Sequence, residues 1–156
     1  MRILLLSMWY QPEPVAKPHD LATELVRRGH NVTAITGYPN YPSGRLYGGY
    51  RRRWRTWEQV DGVHVLRLPT FIDRTRSGIR RVLSYASFSA AAALLGNASI
   101  PRPDIVWTYQ IGLPGVAISL MRDAPLIHEV QDLWPEWSAT GEMGIRSGSL
   151  AYRMLQ

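Results

Sequence analysis

The chain has no cysteine among its 156 residues and no long uninterrupted apolar segment. The missing thiols exclude a disulfide framework and any thiolate metal site, and they suit a reducing compartment. The most apolar helix-like segment, residues 85–96, is shorter than the ~20 residues that a membrane-spanning helix needs. The N-terminal apolar run lacks a small-residue cleavage site, so we do not expect it to be a signal peptide.

Several nucleotide and metal signatures are also missing. No G-x-G-x-x-G follows the first apolar run, and no lysine-containing phosphate-binding loop occurs. No Asp-x-Asp pair is present to hold Mg²⁺ or Mn²⁺ against a nucleotide diphosphate. The four histidines, at positions 19, 30, 64 and 128, do not have the spacing of metal ligands. We therefore predict neither a metal site nor a cofactor.

Positive charge is unevenly distributed along the chain. Of 18 basic residues only Lys17 is a lysine, and 12 acidic residues leave a formal net charge of +6. Ten arginines lie between Arg45 and Arg81, a segment with only three acidic residues. Such an excess attracts polyanions such as nucleic acid, anionic lipid headgroups or phosphorylated substrates, and composition does not choose among them.

Short apolar runs alternate with helical patterns. The runs of strand length are residues 2–8, 31–36, 63–68, 104–109 and 125–130, and the helical patterns are 18–29, 78–96 and 112–123. This alternation is typical of βαβ units. We predict an α/β Rossmann-like fold with a doubly wound parallel sheet in strand order 3-2-1-4-5. Residues 37–62 lack clear periodicity and are predicted to be a long functional or disordered connection.

Ligands of such sheets bind at the carboxyl ends of the strands, near the point where strand order reverses. This rule selects the segments that follow four of the predicted strands: 9–17, 38–42, 110–113 and 131–137. The last of them begins inside HEVQDLWPEW, residues 128–137, where three carboxylates and two tryptophans follow a buried strand. We therefore expect the functional site at this edge of the sheet.

Four stretches carry a resemblance to a known family: MRILLLSMWYQPEP, LATELVRRGHNVTAITGYPNYPSG, DGVHVLRLPT and HEVQDLWPE. Together they resemble the N-terminal domain of retaining glycosyltransferases of the GT-B fold, family GT4. The stretches GYPNYP and DLWPE are similar to the branch that builds bacterial surface polysaccharides such as colanic acid and O-antigen. The resemblance covers nearly the whole chain.

The resemblance implies a division of labour. The N-terminal domain of such enzymes binds the acceptor, a C-terminal domain holds the nucleotide sugar, and the reaction needs no metal. Residues 1–156 would then form an incomplete acceptor-side domain, inactive alone because the nucleotide-sugar domain is absent from this chain. The expected substrates are a nucleotide sugar and a polyprenyl-diphosphate-linked saccharide. The expected location is the cytoplasm, peripheral on the inner face of the cytoplasmic membrane.

We expect Asp132 and Glu129 to be the catalytic residues of this half; the resemblance aligns Asp132 with an acid of the family, and Glu129 lies at the end of the fifth strand. Asp132 has an alternative role as a cap of the turn that follows it. Glu129 lies inside a predicted strand and has an alternative role as the partner of a buried group. Many relatives have a histidine where this chain has Gln131, so no catalytic role is transferred to His128, which we expect to be a core residue.

The expected substrate-binding residues lie in the segments that follow the strands, or at the end of a strand in the case of Tyr109. They are Glu13, Val15, Ala16, Tyr38, Asn40, Tyr41, Tyr109, Gln131 and Glu136. Val15 and Ala16 replace two glycines of many relatives, which argues against close wrapping of a phosphate there. The segment from Tyr38 to Tyr41 has an alternative as ordinary turn chemistry. Glu136 has one as a solvated acid in the first turn of a helix.

Arginine and tryptophan alternate in one segment whose members are Arg51, Arg52, Arg53, Trp54, Arg55 and Trp57. This pattern is typical of an interfacial membrane contact, with amphipathic rings at headgroup level. Single-stranded nucleic acid sites use the same residues, and a solvated basic surface is a third interpretation. The resemblance favours an anionic membrane surface over nucleic acid.

Two other classes of protein stay open. A non-catalytic module that binds saccharide or membrane would share these motifs, and a nucleic-acid-binding protein would share the basic segment. A second Rossmann-like half after residue 156 would favour the enzyme, and its absence would favour the binding module. Salt-sensitive binding of any oligonucleotide would favour the third class.

Overall fold

The computed structural model describes residues 1–72 and 78–131. Its strands are β1 (Arg2–Leu6), β2 (Asn31–Gly37), β3 (Thr56–Val60), β4 (Val63–Leu68), β5 (Ile105–Tyr109) and β6 (Leu126–Glu129). Its helices are α1 (Ala16–Arg27), α2 (Gly78–Ala91), α3 (Asn97–Ser99) and α4 (Gly112–Arg122). A π-helical turn, Ala92–Gly96, joins α2 to α3. None of the helices within these described ranges is long and apolar enough to cross a membrane.

The strands form one sheet in the order β3-β4-β2-β1-β5-β6. All neighbours from β4 to β6 are parallel, and Ile3 of β1 lies opposite Val32 of β2 and Ile105 of β5. The five predicted strands are present in the predicted order, so the doubly wound α/β fold is confirmed. Central strands such as β1 are apolar along their length because both faces are covered.

An additional strand lies within the segment expected to be irregular. β3 pairs antiparallel with β4, and the two are joined by a two-residue turn at Asp61 and Gly62. Both turn residues have positive φ angles, 48° and 83°, which fits the preference of Asp-Gly for hairpins whose twist matches the strands. The expectation of an irregular connection over 37–62 is therefore wrong for its last third.

Two hydrophobic layers cover the faces of the sheet. On one face, α1 packs its Ala22 against Leu5 and Val65. On the other, the helices from α2 to α4 pack residues such as Phe88 and Ile118 against the sheet. The placement of helices on both faces is what a parallel sheet with right-handed crossovers requires.

The helix predicted over 78–96 bends into the π-helical turn where it approaches the sheet most closely. A β-carbon at Gly96 would lie 2.9 Å from Ile35 Cδ1 and 3.3 Å from Leu68 Cδ1. Only a glycine allows this approach, so the end of the long helix is held against β2 and β4. Nearer the beginning of α2, Ser84 and Tyr85 line a cleft at the carboxyl edge of the sheet.

Candidate functional site

A cleft of about 260 Å³ opens at the carboxyl edge of the sheet. The connections after β1 and β2 form one wall, and the first turns of α2 form the other. The lining residues, which define the aromatic cleft, are Met8, Trp9, Asn40, Tyr41, Pro42, Gly44, Arg81, Ser84 and Tyr85. The cleft lies at the carboxyl ends of β1 and β2, the edge of the sheet where ligands of such folds bind, whereas the order of the strands reverses between β1 and β5.

Three aromatic rings meet in this cleft. The ring centroids of Trp9 and Tyr41 are 5.5 Å apart with an interplanar angle of 50°. The centroids of Trp9 and Tyr85 are 6.3 Å apart, and their planes are nearly perpendicular. Such contacts hold the rings in fixed orientations. Arg81, one helical turn before Tyr85, adds a guanidinium group that can bind a planar or tetrahedral anion.

Sequence reasoning found this region but missed three of its side chains. Trp9 directly follows the first strand, so its position in the chain indicated it. Arg81 and Tyr85 have the i, i+4 spacing that places two residues on one face of a helix. No pattern in the sequence showed that this face turns toward the connection after β2.

Glu13 was expected to contact substrate, and the structure places it beneath the connections after β1 and β2. Its side chain is 0% exposed. One carboxylate oxygen accepts hydrogen bonds from the backbone N–H groups of Asn40 and Tyr41, both at 2.8 Å. The other accepts from the N–H of Tyr10 at 3.1 Å. Burial, the largest influence, raises the pKa of Glu13, while these three backbone donors and the positive charge of Arg67 lower it.

The segment from Tyr38 to Tyr41 divides into structural and accessible residues. Tyr38 is buried, and its hydroxyl lies 2.6 Å from Thr56 Oγ1 and accepts from the N–H of Arg53. Asn40 is nearly buried and donates its side-chain amide to the carbonyl of Tyr38. Tyr41, in contrast, is 44% exposed and faces the cleft. Of the two tyrosines, Tyr41 is therefore the accessible one, and Tyr38 supports the segment from beneath.

A second cluster lies at the ends of β5 and β6. Glu129 is half-buried, forms an ion pair with Lys17 of α1, and accepts a hydrogen bond from the side-chain amide of Gln131 at 2.6 Å. The hydrogen bond with Glu129 is the main reason that the pKa of Lys17 is raised. The alternative of a buried partner for Glu129 is wrong, because Lys17 is exposed. Tyr109 is half-buried, with its ring 5.8 Å from that of Trp107.

Helix α1 begins beside this pair. Val15 is its half-buried N-terminal cap residue and makes no side-chain capping hydrogen bond, and Ala16, the first helical residue, is exposed. The first turn contains no acidic side chain. The turn therefore presents backbone N–H groups and Lys17 at the carboxyl edge, and both favour negative charge.

Two predicted site residues, Asp132 and Glu136, lie outside the residues that the structure describes.

His128 was expected in the core, but it is exposed on β6, and its ring lies over the backbone of Gly112. A β-carbon at Gly112 would come within 2.8 Å of the His128 ring. The expectation failed because β6 is shielded less completely than the central strands.

The arginine-tryptophan segment is on the surface, as its proposed role requires. Its four arginines are exposed, and Trp54 is 81% and Trp57 45% exposed. Arg55 donates a hydrogen bond to Ser99 Oγ at 3.2 Å. Within residues 1–72 and 78–131, no three His, Asp or Glu side chains are placed to hold a metal ion.

Arg67 does not belong to this basic surface, although the charge count included it. It is 0% exposed and forms an ion pair with Glu58 of β3. Its guanidinium donates to the carbonyls of Gln11 and Gly37 and lies 5.0 Å from the centroid of the Tyr50 ring. The position of Arg67 inside the apolar run VHVLRL was the feature of the sequence that could have indicated a buried charge.

Comparison with known proteins agrees with this architecture. A family model of the glycosyl transferase 4-like domain matches residues 15–155. The chain belongs to this family. It is also similar to an Escherichia coli (strain K12) protein named "Putative colanic acid biosynthesis glycosyl transferase WcaI", with 28% identity over 95 residues. The matched region is 59% of this chain and 23% of that relative, so the chain spans about a quarter of the relative's length.

Proposed function

We propose that this chain is the acceptor-side half of a GT-B glycosyltransferase that moves a sugar from a nucleotide sugar to a lipid-linked saccharide. The observation that carries the proposal is the aromatic cleft, which lies at the carboxyl edge of the sheet in a chain of the glycosyl transferase 4-like family. The resemblance of the sequence motifs to polysaccharide transferases, and the similarity to the named relative, support surface polysaccharide synthesis as the role.

The chemistry of the cleft fits a polyprenyl-diphosphate-linked saccharide. The rings of Trp9 and Tyr41 offer apolar faces to the C–H groups of a sugar, and the tyrosine hydroxyl can bond a sugar hydroxyl. Arg81 adds a positive charge to the same cleft, and this charge attracts the diphosphate. Sugar and diphosphate are adjacent in such an acceptor, as ring and cation are adjacent in the cleft.

The proposed reaction exchanges one bond for another at the anomeric carbon of the donor. The bond from this carbon to the nucleotide diphosphate breaks, a bond to an acceptor hydroxyl oxygen forms with retention of configuration, and the hydroxyl proton passes to the leaving diphosphate. A second Rossmann-like half is proposed to hold the nucleotide sugar and the leaving diphosphate. This half orients the acceptor oxygen, and positioning together with charge stabilisation supplies most of the rate. No metal is required in this scheme.

Glu129 and Asp132 remain our proposed catalytic residues on this half. Glu129 forms its ion pair with Lys17 at the end of β6, where a carboxylate suits electrostatic stabilisation of a cationic transition state. In the full-length enzyme, Asp132→Asn should lower turnover by about 10², which is typical of losing one preorganised electrostatic contact. An unchanged rate with an unchanged melting temperature would assign Asp132 to the cap of a turn.

The primary test is an assay with the full-length protein. It would be incubated with a panel of nucleotide sugars and a polyprenyl-diphosphate sugar, and products would be identified by mass spectrometry. The proposal predicts one added sugar on the acceptor, and no turnover by residues 1–156 alone. Absence of product with every donor would contradict the proposal, and turnover by the isolated chain would contradict the division of labour.

We also propose that the arginine-tryptophan segment holds the enzyme on the inner face of the cytoplasmic membrane. Each arginine near an anionic surface contributes about 1 kcal/mol, so the four could together contribute up to roughly 4 kcal/mol. Vesicle binding should require anionic lipid, weaken with salt, and fall sharply when the four arginines become serine. Trp54→Ala with Trp57→Ala should weaken the binding that survives high salt. Indifference to anionic vesicles at low salt would contradict this role.

A further inference from the structure

We infer that Glu13 and Arg67 are positioning residues that set the distance and orientation of the Trp9 and Tyr41 rings in the aromatic cleft. Neither side chain touches the cleft, since both are 0% exposed. Both act on the two connections that carry the rings, one after β1 and one after β2. The identity of what the cleft binds rests on the proposed function, whereas the positioning of the rings does not.

Glu13 holds the two connections together through their N–H groups. It accepts from Tyr10, the residue after Trp9, and from Tyr41 itself. Its own backbone N–H donates to the carbonyl of Tyr10 at 3.1 Å, so the turn that contains Glu13 is closed on itself. The carboxylate binds the backbone of Tyr41 and of the residue next to Trp9. It therefore fixes the backbone positions from which the two aromatic side chains extend.

Arg67 holds the same connections through their carbonyl groups. It extends from the end of β4 and donates to Gln11, after β1, and to Gly37, at the end of β2. The ion pair with Glu58 fixes the direction of the guanidinium. A β-carbon at Gly37 would lie 3.1 Å from the carbonyl oxygen of Met8, so the two connections already touch where Arg67 holds them.

The two charges are complementary in what they bind. A carboxylate has only acceptors and takes the N–H groups, and a guanidinium has only donors and takes the carbonyls. Exchanging either residue for an amide or a hydrocarbon leaves part of this backbone without a partner.

The consequence for binding follows from the closeness of the rings. A stacking contact depends on ring separation and tilt, and the geometry of a site is sensitive to small shifts, since a misplacement of ~1 Å can cost about 10²-fold in the rate of an enzyme. The centroids of Trp9 and Tyr41 are 5.5 Å apart. We therefore expect loss of the Glu13 carboxylate to weaken binding in the cleft without removing any group that contacts the ligand.

The test compares Glu13→Gln with Glu24→Gln. Glutamine keeps the volume of glutamate but has one acceptor oxygen instead of two, and Glu24 lies on the surface of α1, where it pairs with Arg27 and Arg28. Arg67→Lys is the second variant, because lysine keeps the charge but cannot reach two carbonyls in a fixed fork. The readouts are melting temperature, the NMR signals of the Trp9 indole and the Asn40 and Tyr41 amides, and affinity for farnesyl-diphospho-N-acetylglucosamine.

In folded Glu13→Gln protein, we expect the Trp9 indole signal to shift, the Asn40 and Tyr41 amides to exchange faster with solvent, and affinity for the probe to fall at least about tenfold. Arg67→Lys should act in the same direction, and Glu24→Gln should match the wild type. If Glu13→Gln does not fold, Arg67→Lys decides the outcome alone.

Two results would overturn the inference. One is a Trp9 signal unmoved in both folded variants, which would show that the rings do not depend on these charges. The other is affinity within twofold of the wild type despite faster amide exchange. If the wild-type protein does not bind the probe, the proposed acceptor is wrong. The positioning role is then decided by the Trp9 signal and the amide exchange in the ligand-free protein.

Discussion

Two glutamates at the carboxyl edge of the same sheet are held in opposite ways. Glu13 is fully buried and binds only backbone N–H groups, whereas Glu129 is half-buried and binds the exposed side chains of Lys17 and Gln131. The first therefore shapes the wall of a cleft that it never touches. The second presents its charge where a substrate can reach it. Both residues are glutamates near the carboxyl end of a strand, so the difference between their roles comes from their surroundings.

The largest effect on stability should come from the buried charges beneath the cleft. Arg67→Met removes the partner of Glu58 and leaves the Gln11 and Gly37 carbonyls without their donor. Removing one member of a buried pair costs about 3 to 5 kcal/mol, and we expect a loss of about 3 kcal/mol in the free energy of unfolding because Glu58 is partly exposed. Urea denaturation measures this, with Arg28→Met as the surface control. A loss below about 1 kcal/mol would show that the pair is not buried in solution.

The next largest effect should come from Tyr41, in the wall of the aromatic cleft. Tyr41→Ala should lower kcat/KM for the lipid-linked acceptor roughly tenfold, because one stacking surface is lost, which is about 1.4 kcal/mol. Since Tyr41 is 44% exposed, stability should change little. Leu120→Ala, at an exposed position on α4, is the control for removal of an exposed apolar side chain. An equal loss for nucleotide sugar hydrolysis in water would show that Tyr41 serves the donor instead.

The pH dependence of stability should have opposite signs for a buried and an exposed glutamate. Burial raises the pKa of Glu13, so the folded protein keeps this proton at a pH where the unfolded chain has lost it. The Glu13 contribution is then largest below about pH 4.3, the ordinary pKa of glutamate, and decreases as pH rises through the folded pKa. Arg28 and Arg27 lower the pKa of Glu24, whose contribution is present above the ordinary pKa and is lost as pH falls.

The measurement is the free energy of unfolding of wild type, Glu13→Gln and Glu24→Gln at several pH values between about 3.5 and 7. The difference between wild type and Glu13→Gln should become less favourable to the wild type as pH rises. The difference for Glu24→Gln should change in the opposite direction and be small, because Glu24 is on the surface. Equal slopes for both variants would contradict the assigned burial of Glu13.

The smallest effect on stability should come from the Glu129 pair. Lys17→Met removes an exposed partner, and exposed ion pairs contribute little to stability because solvent screens them. We expect almost no change in the free energy of unfolding, together with a measurable fall in turnover of the full-length enzyme if Glu129 acts on the substrate. If Lys17→Met lowered the free energy of unfolding as much as Arg67→Met, the distinction between the buried charges and the exposed Glu129–Lys17 pair would be wrong.

The parts of the fold that could be predicted are those that depend on local pattern. The continuous apolar run of β1 and the alternation with helices were sufficient for the parallel sheet and its order. β3 was missed because its five residues lie in a segment rich in turn formers, although Asp61-Gly62 indicated a hairpin. Without β3 in place, Glu58 could not be assigned to Arg67, since their pairing follows from the register of β3 on β4.

The sequence indicated two of the segments that line the aromatic cleft, those after the first and second strands, but not which side chains face it. Tyr41 follows the second strand, and the position of the loop placed it at the carboxyl edge. Whether Glu13 points into the cleft or away from it depends on a turn closed by its own hydrogen bonds to Tyr10, which no spacing shows. Arg81 and Tyr85 join the site only through the packing angle of α2, a tertiary property.

Binding of a lipid-diphosphate sugar in the aromatic cleft tests the account most directly. Residues 1–156 would be titrated with farnesyl-diphospho-N-acetylglucosamine, followed by NMR of the Trp9 indole and the ring signals of Tyr41 and Tyr85, with farnesyl diphosphate and the free sugar as separate arms. The account predicts saturable shifts at these three residues that require both parts of the probe for full affinity and weaken in Tyr41→Ala. Absence of shifts at these residues, or saturable shifts confined to the opposite edge of the sheet, would contradict it.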